Sequence, residues 1–288
     1  MVSSRAIQDP SQNEYTNVTQ HALSARGRAP PPPPPARYVE GKAFYYDGWP
    51  ESASQITDFE NLWGQLVDLL NLVGKIEVDD VFDRWYGDWG RPLVQSVFDR
   101  MKAQIKERDS ASKSSKRDTD APKIWISRND YLQICSNRWV EAYLTTVSKL
   151  RGAGVKLSAN SKKMGDNNCL IHFCKDQFDH NKNNQVTDCN KVKDQRMNND
   201  LDGQVGTLLH ELIHCPSIGD AAMDEYGQGP ILIGHDEVYD AYECTQLKEK
   251  CDNVAPRNPQ SYTFYTANRS WNKKCSFNLK DPFQVQAP

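Results

Sequence analysis

The stretch Val205-Gly206-Thr207-Leu208-Leu209-His210-Glu211-Leu212-Ile213-His214 has the apolar periodicity of a buried helix, interrupted by three side chains that can bind a metal or carry a proton. On a helix, His210 and His214 lie one turn apart on the same face. Both imidazoles can then reach one Zn²⁺ at about 2.0–2.1 Å. Glu211 projects near that face. The surrounding Leu and Ile side chains would make this polar stripe costly to bury without a metal or another partner. The stretch therefore predicts a buried metal-binding helix.

The pentapeptide His210-Glu211-Leu212-Ile213-His214 resembles the H-E-x-x-H signature of zinc metallopeptidases. The resemblance implies an α+β, zincin-like domain, mostly helical with a small sheet beside the H-E-x-x-H helix, and one Zn²⁺ per chain. In such a domain His210 and His214 bind zinc, and Glu211 is the general base for a metal-activated water that attacks a peptide bond. A buried helix with two hydrogen-bonded histidines is the alternative interpretation.

Several acidic residues compete to be the third protein ligand that a catalytic zinc site usually has. Asp220 has the offset of the third ligand in metzincins, but Ser217 and Asp220 stand where the pattern H-E-x-x-H-x-x-G-x-x-H has Gly and His. Glu237 or Glu243 would suit a gluzincin-like site, in which a Glu from a later helix binds the metal. Asp236 is the remaining candidate.

The segment Gly234-His235-Asp236-Glu237-Val238-Tyr239 resembles part of the aspzincins, the deuterolysin-like zinc endopeptidases. In that family G-T-x-D-x-x-Y-G follows H-E-x-x-H. This chain keeps D-x-x-Y at Asp236 and Tyr239, but its Gly and Asp are one residue closer, and Asp240 replaces the final Gly. Asn258-Pro259-Gln260-Ser261-Tyr262 is similar to the family's N-A-D-S-Y-like segment, and Cys169 to Cys174 is similar to its strand ending in Cys.

This second resemblance covers residues 40–275 loosely and implies a divergent aspzincin. It implies that Asp236 completes the zinc site with His210 and His214, and that Tyr239 directs its phenol toward the oxyanion of the tetrahedral intermediate. A helix N-cap is the alternative role for Asp236, and a core aromatic is the alternative for Tyr239.

The chain divides into two parts by composition. Residues 1–37 are rich in Ser, Gln, Asn and Arg and contain six consecutive prolines, Pro30 to Pro35, which predicts a disordered segment or propeptide with a polyproline linker. Residues 38–288 are predicted to form the zincin-like domain. Apolar periodicity predicts helices at 53–74, 93–107, 236–250 and 262–267, and strands at 123–127, 155–158 and 169–174.

The cysteines predict an oxidising compartment. All eight lie from Cys135 onward, an even number that is typical of a disulfide framework, although the sequence assigns no pairs. The sequons Asn17-Val18-Thr19 and Asn268-Arg269-Ser270 fit secretion. The first ten residues have no apolar signal core. Because of the cysteines and the sequons, we nevertheless predict a secreted protein, whose signal peptide is not visible in this chain.

The net charge and the hydropathy of the chain indicate which classes of binding partner are expected. The net charge is −3 and the isoelectric point about 6.1, which favours neither nucleic acid nor an anionic membrane, and no stretch is long enough to span a bilayer. We expect a monomer that acts on protein or peptide substrates. A catalytically weak, zincin-fold secreted binding or effector protein is the alternative, and the intact Glu211 argues against it.

Overall fold

The computed structural model describes residues 37–38, 45–47, 54–87, 90–111, 124–127, 129–136, 140–157, 164–174, 188–250 and 254–282. The prediction of a disordered N-terminal segment lies outside these residues, apart from Arg37, which begins a strand. Cys251 also lies outside them.

The described chain belongs to the α+β class and is mostly helical, as predicted. Its strands are β1 (Arg37–Tyr38), β2 (Tyr45–Asp47), β3 (Ile124–Ser127), β4 (Ala142–Thr146) and β5 (Cys169–Phe173). Its helices are α1 (Ser54–Val73), α2 (Asp80–Trp85), α3 (Arg91–Ala111), α4 (Val147–Gly152), α5 (Gly203–Ile213), α6 (Gly219–Glu225), α7 (Ala241–Lys250) and α8 (Pro259–Cys275).

The strands form one small sheet in the order β1-β2-β3-β5-β4. Strands β2, β3 and β5 are parallel, while β1 and β4 run antiparallel to their neighbours. Strand β4 is therefore an edge strand, paired with β5 from Ala142↔Phe173 to Thr146↔Cys169. Helix α5, which carries the H-E-x-x-H residues, packs against β4. A small sheet thus lies beside this helix.

The core lies where α8 packs against α5, α2 and α1. Gly206 lets α5 and α8 approach closely, because a Cβ at this position would lie 2.6 Å from Cγ2 of Thr263. A cluster of aromatic rings fills the space beneath α8, formed by Phe82, Tyr86, Phe98, Tyr262 and Tyr265.

Helix α8 is much longer than the predicted helix at 262–267. Its buried face includes Thr263, Thr266 and Asn268, whose polar groups interrupt the apolar periodicity. These groups are satisfied by hydrogen bonds inside the core, where Thr263 and Thr266 donate to backbone carbonyls and Asn268 accepts from Arg84. Apolar patterning alone therefore underestimates this helix.

Two other stretches differ from the sequence predictions. Residues 155–157 form no strand, because the Val155 N–H donates to the carbonyl of Leu150 at 3.0 Å and closes the end of α4. No element was predicted at Asp80–Trp85, which forms α2, where the Asp79 side chain accepts a hydrogen bond from the Phe82 N–H and caps the helix.

Three disulfides join Cys135 to Cys174, Cys169 to Cys215 and Cys189 to Cys275, as the predicted framework requires. The second ties β5 to Cys215, the residue after the C-cap of α5. Cys244 is a buried free thiol.

Two further observations bear on the predicted location. Asn268 is fully buried, so its sequon is no argument for secretion. No helix within the described ranges is long and apolar enough to cross a membrane.

Candidate metal centre and active site

Three side chains converge on one point at the end of α5. Nε2 of His210 and Nε2 of His214 are 3.2 Å apart. The carboxylate of Glu237 approaches both rings, with Oε1 at 2.9 Å from His214 and Oε2 at 3.5 Å from His210. Ligands held about 2.05 Å from a tetrahedral ion are about 3.3 Å from one another. The three separations therefore match the donor set of a Zn²⁺ site.

Helix α5 places the two histidines as the sequence predicts. It ends at Ile213, and His214 caps it, with the backbone N–H of His214 donating to the backbone carbonyl of Glu211. Pro216 follows and cannot continue the helix. His210 is 3% exposed, and the His214 side chain is 14% exposed, so both rings are largely buried.

The third residue of the group is Glu237, and Asp236 does not belong to it. Asp236 ends a 3-10 turn and is exposed, whereas Glu237 has an extended backbone (φ −78°, ψ 149°) and a side chain that is 1% exposed. Because the chain passes from a turn into extended backbone here, the two side chains point in different directions. The geometry thus replaces Asp236 with Glu237 as the candidate third ligand.

The other two acidic candidates are also away from the histidines. Asp220 lies in the first turn of α6, where Oδ1 accepts a hydrogen bond from the Ile231 N–H at 3.1 Å. Glu243 lies in α7 and is exposed. Glu237 is therefore the one of the four sequence candidates that reaches the histidine pair.

Tyr239 lies against the site. Its ring stacks on the imidazole of His210, with centroids 5.6 Å apart and planes at 25°. Its hydroxyl donates a hydrogen bond to Oε2 of Glu237. In this arrangement the phenol orients the carboxylate of Glu237.

Glu211 is fully buried beside the ligands, and no residue in the described part of the chain donates a hydrogen bond to its Oε1. Burial raises the pKa of Glu211 to about 7, opposed by the nearby His210 and assisted by the charges of Glu237 and Glu141. A hydrogen bond from the Leu144 N–H on β4 lowers this pKa in part. An unpartnered buried carboxylate oxygen is rare, which fits a site that receives water or substrate.

The charge of Glu237 suits a metal ligand. Burial alone would raise the pKa of Glu237, but His214 and His210 outweigh it through their charges and hydrogen bonds, which bring the pKa to about 2. The carboxylate is therefore ionised over the physiological pH range and ready to bind a cation.

Gln260 orients His210 from behind. Its Oε1 lies 2.9 Å from Nδ1 of His210, and its Nε2 donates to Oδ2 of Asp202 at 2.9 Å. Because the Gln260 oxygen can only accept, Nδ1 of His210 carries a proton, which leaves Nε2 as the nitrogen that could bind a metal. All three residues are buried.

Asn258 holds the segment that carries Glu237 and Tyr239. Its Oδ1 accepts from the Val238 N–H and its Nδ2 donates to the Val238 carbonyl, both at 3.0 Å. Both backbone groups of the residue between Glu237 and Tyr239 are thereby fixed. The start of α8 thus positions both halves of the site, through Asn258 and Gln260.

We expect Gln260→Ala to weaken zinc binding by about 10–100-fold, the usual effect of losing an outer-sphere partner of a ligating histidine. The substitution removes the acceptor of His210 Nδ1, and Oδ2 of Asp202 loses the hydrogen bond that the Gln260 amide donates. Competition with a chromogenic chelator measures the zinc Kd. Gln228→Ala is the control, since the Gln228 side chain donates to the Tyr226 carbonyl and is not part of the candidate metal group. An unchanged Kd in a folded Gln260→Ala protein would contradict the positioning role.

The sequence interpretation missed the roles of Asn258, Gln260, Asp202 and Glu141. The first two lie in the segment that resembles N-A-D-S-Y, so a signal for them was present. Glu141 precedes β4 and accepts a hydrogen bond from Thr207 on α5 at 3.0 Å. Because this contact joins two separate elements, the residue pattern within either element does not predict it.

The chain matches no family model, no curated protein and no solved structure.

Proposed function

We propose that this protein is a zinc-dependent endopeptidase. The observation that carries the proposal is the convergence of His210, His214 and Glu237 beside the buried carboxylate of Glu211, whose Oε1 accepts no hydrogen bond from the described residues. Two imidazoles and one carboxylate form the ligand set His₂Glu, which is typical of catalytic zinc sites with an open position.

Each residue of the site has a separate role in the proposed reaction. His210, His214 and Glu237 would hold the ion. Zn²⁺ in such a site supplies Lewis acidity, which lowers the pKa of water and polarises a carbonyl group. Glu211 accepts the proton of the attacking water and returns it to the leaving nitrogen, and a pKa near 7 suits both steps. Tyr239 places a hydroxyl beside the reacting carbonyl.

The sheet supports a peptide as substrate. Strand β4 lies at the edge of the sheet and contacts α5, and its Leu144 N–H points to Glu211. A peptide that adds to this edge as an extended strand would bring its backbone to the catalytic carboxylate. The three disulfides further support a secreted enzyme. Membership of the aspzincins remains a proposal, and Glu237 in place of Asp236 departs from that family's ligand set.

Removal and return of the metal test the function. We expect a chelator to abolish hydrolysis of casein and of a mixed fluorogenic peptide library, and one equivalent of Zn²⁺ per chain to restore it. Metal analysis of the same samples gives the stoichiometry. A protein that binds one zinc and cleaves no substrate would instead be the binding or effector protein. Absence of bound zinc after reloading would contradict the site itself.

A further inference from the structure

A second group of metal-binding side chains lies in the sheet, away from α5. It consists of Cys135, Cys174 and His172, whose ligand atoms all lie within 4.8 Å of one another. The two cysteines form a disulfide. His172 lies on β5, Cys174 follows that strand directly, and Cys135 belongs to the short 3-10 turn Ile134–Ser136. The peptidase site does not use any of these residues.

His172 is prepared to bind a metal through one nitrogen. It is 5% exposed, as predicted for a core histidine, and Nδ1 lies 2.9 Å from the carbonyl oxygen of Ser127. A carbonyl oxygen can only accept, so Nδ1 carries the proton and Nε2 holds the lone pair. Burial lowers the pKa of His172, although the charge of Asp130 opposes this, and the ring is therefore neutral.

The disulfides differ in how easily a reductant can reach them. Cys135 is partly exposed, and its partner Cys174 is buried. In contrast, Cys169 and Cys215 are both fully buried. The bridge between Cys189 and Cys275 is also partly exposed, but within the described residues it has no place in a metal-binding group. A mild reductant should therefore open the Cys135–Cys174 bridge while the Cys169–Cys215 bridge stays closed.

We propose that reduction of the Cys135–Cys174 disulfide creates a second metal site, in which two thiolates and the imidazole of His172 bind a divalent ion such as Zn²⁺ or Co²⁺. A phosphine donates two electrons to the S–S bond, which breaks, and water converts the phosphine to its oxide. The two thiols then lose their protons as the metal binds. Two sulfur ligands on Zn²⁺ lie about 3.8 Å apart, so the sulfurs separate by rotation of their side chains. The chain thus has a peptidase-type site that uses N and O ligands, and a redox-dependent site that uses S.

Co²⁺ distinguishes the two sites, because thiolate ligands produce an intense near-ultraviolet charge-transfer band that nitrogen and oxygen ligands do not. The full chain is reduced with a phosphine under argon, desalted and titrated with Co²⁺. We expect the band to saturate at one equivalent of thiolate-bound Co²⁺ in the reduced protein and to be absent in the oxidised protein.

The variants identify the ligands. We expect Cys135→Ser with Cys174→Ser to abolish the band and His172→Gln, which keeps the bridge, to weaken Co²⁺ binding at least about tenfold. The matched control is Cys189→Ser with Cys275→Ser, which removes the other partly exposed bridge and should keep the band. A band that survives the first double substitution, or unchanged Co²⁺ affinity in His172→Gln, overturns the proposal. His214→Ala should leave the band intact, so this result is independent of the peptidase proposal.

Discussion

We expect the replacement of Glu211 with Gln to lower kcat/KM for peptide hydrolysis by about 10²–10⁴-fold, the range that general acid–base catalysis contributes, while one zinc per chain stays bound. Gln has nearly the shape of Glu but cannot accept the proton of the attacking water. Glu211 is not among the three converging ligands, so the metal stays. The substitution also removes a buried carboxylate with an unpartnered oxygen, so we expect no loss of stability.

The matched control is Glu243→Gln, which changes an exposed carboxylate on α7 in the same way and should leave kcat/KM unchanged. Hydrolysis is measured with a fluorogenic peptide and zinc content by elemental analysis of the same samples. Full activity of Glu211→Gln with zinc bound would exclude Glu211 as the general base. Loss of both zinc and activity would show that its carboxylate acts in metal binding instead.

We expect the replacement of Glu237 with Ala to weaken zinc binding by more than about 100-fold, above the usual effect of losing an outer-sphere partner. The reason is that the variant loses the charged ligand that lies 2.9 Å from His214, while the two imidazoles remain. Tyr239 also loses the acceptor of its hydroxyl. When zinc is limiting, we expect the peptidase activity of Glu237→Ala to fall in proportion to its bound zinc.

Asp236→Ala is the direct comparison, because it removes the neighbouring carboxylate, which is exposed. We expect its zinc Kd and its activity to equal those of the wild type. The reverse outcome, in which Asp236→Ala loses zinc and Glu237→Ala keeps it, would restore the aspzincin ligand set and refute the geometry described above. Both variants are measured by chelator competition, with thermal melting of the metal-free proteins as the test of folding.

The elements that the sequence predicted well are those whose signal is local. Helix α1 agrees with the prediction to within one residue at each end, and β3 and β5 were both found. In each of them the side-chain pattern follows the period of the element that it forms. Strand β4 was missed, and so was most of α8, whose buried face carries polar residues that interrupt the apolar pattern.

The sequence by itself determined the candidate metal-binding helix, with His210 and His214 on one side of it, because residues four apart on a helix share one face whatever surrounds them. Only the tertiary structure brought Glu237, and not Asp236, to the histidines as the candidate third ligand. Asp236 and Glu237 are adjacent, and both are carboxylates, so no motif separates them. The difference comes from Asn258, which fixes both backbone groups of Val238 and so holds Glu237 inward. That contact joins residues 20 positions apart, so a local sequence pattern does not reveal it.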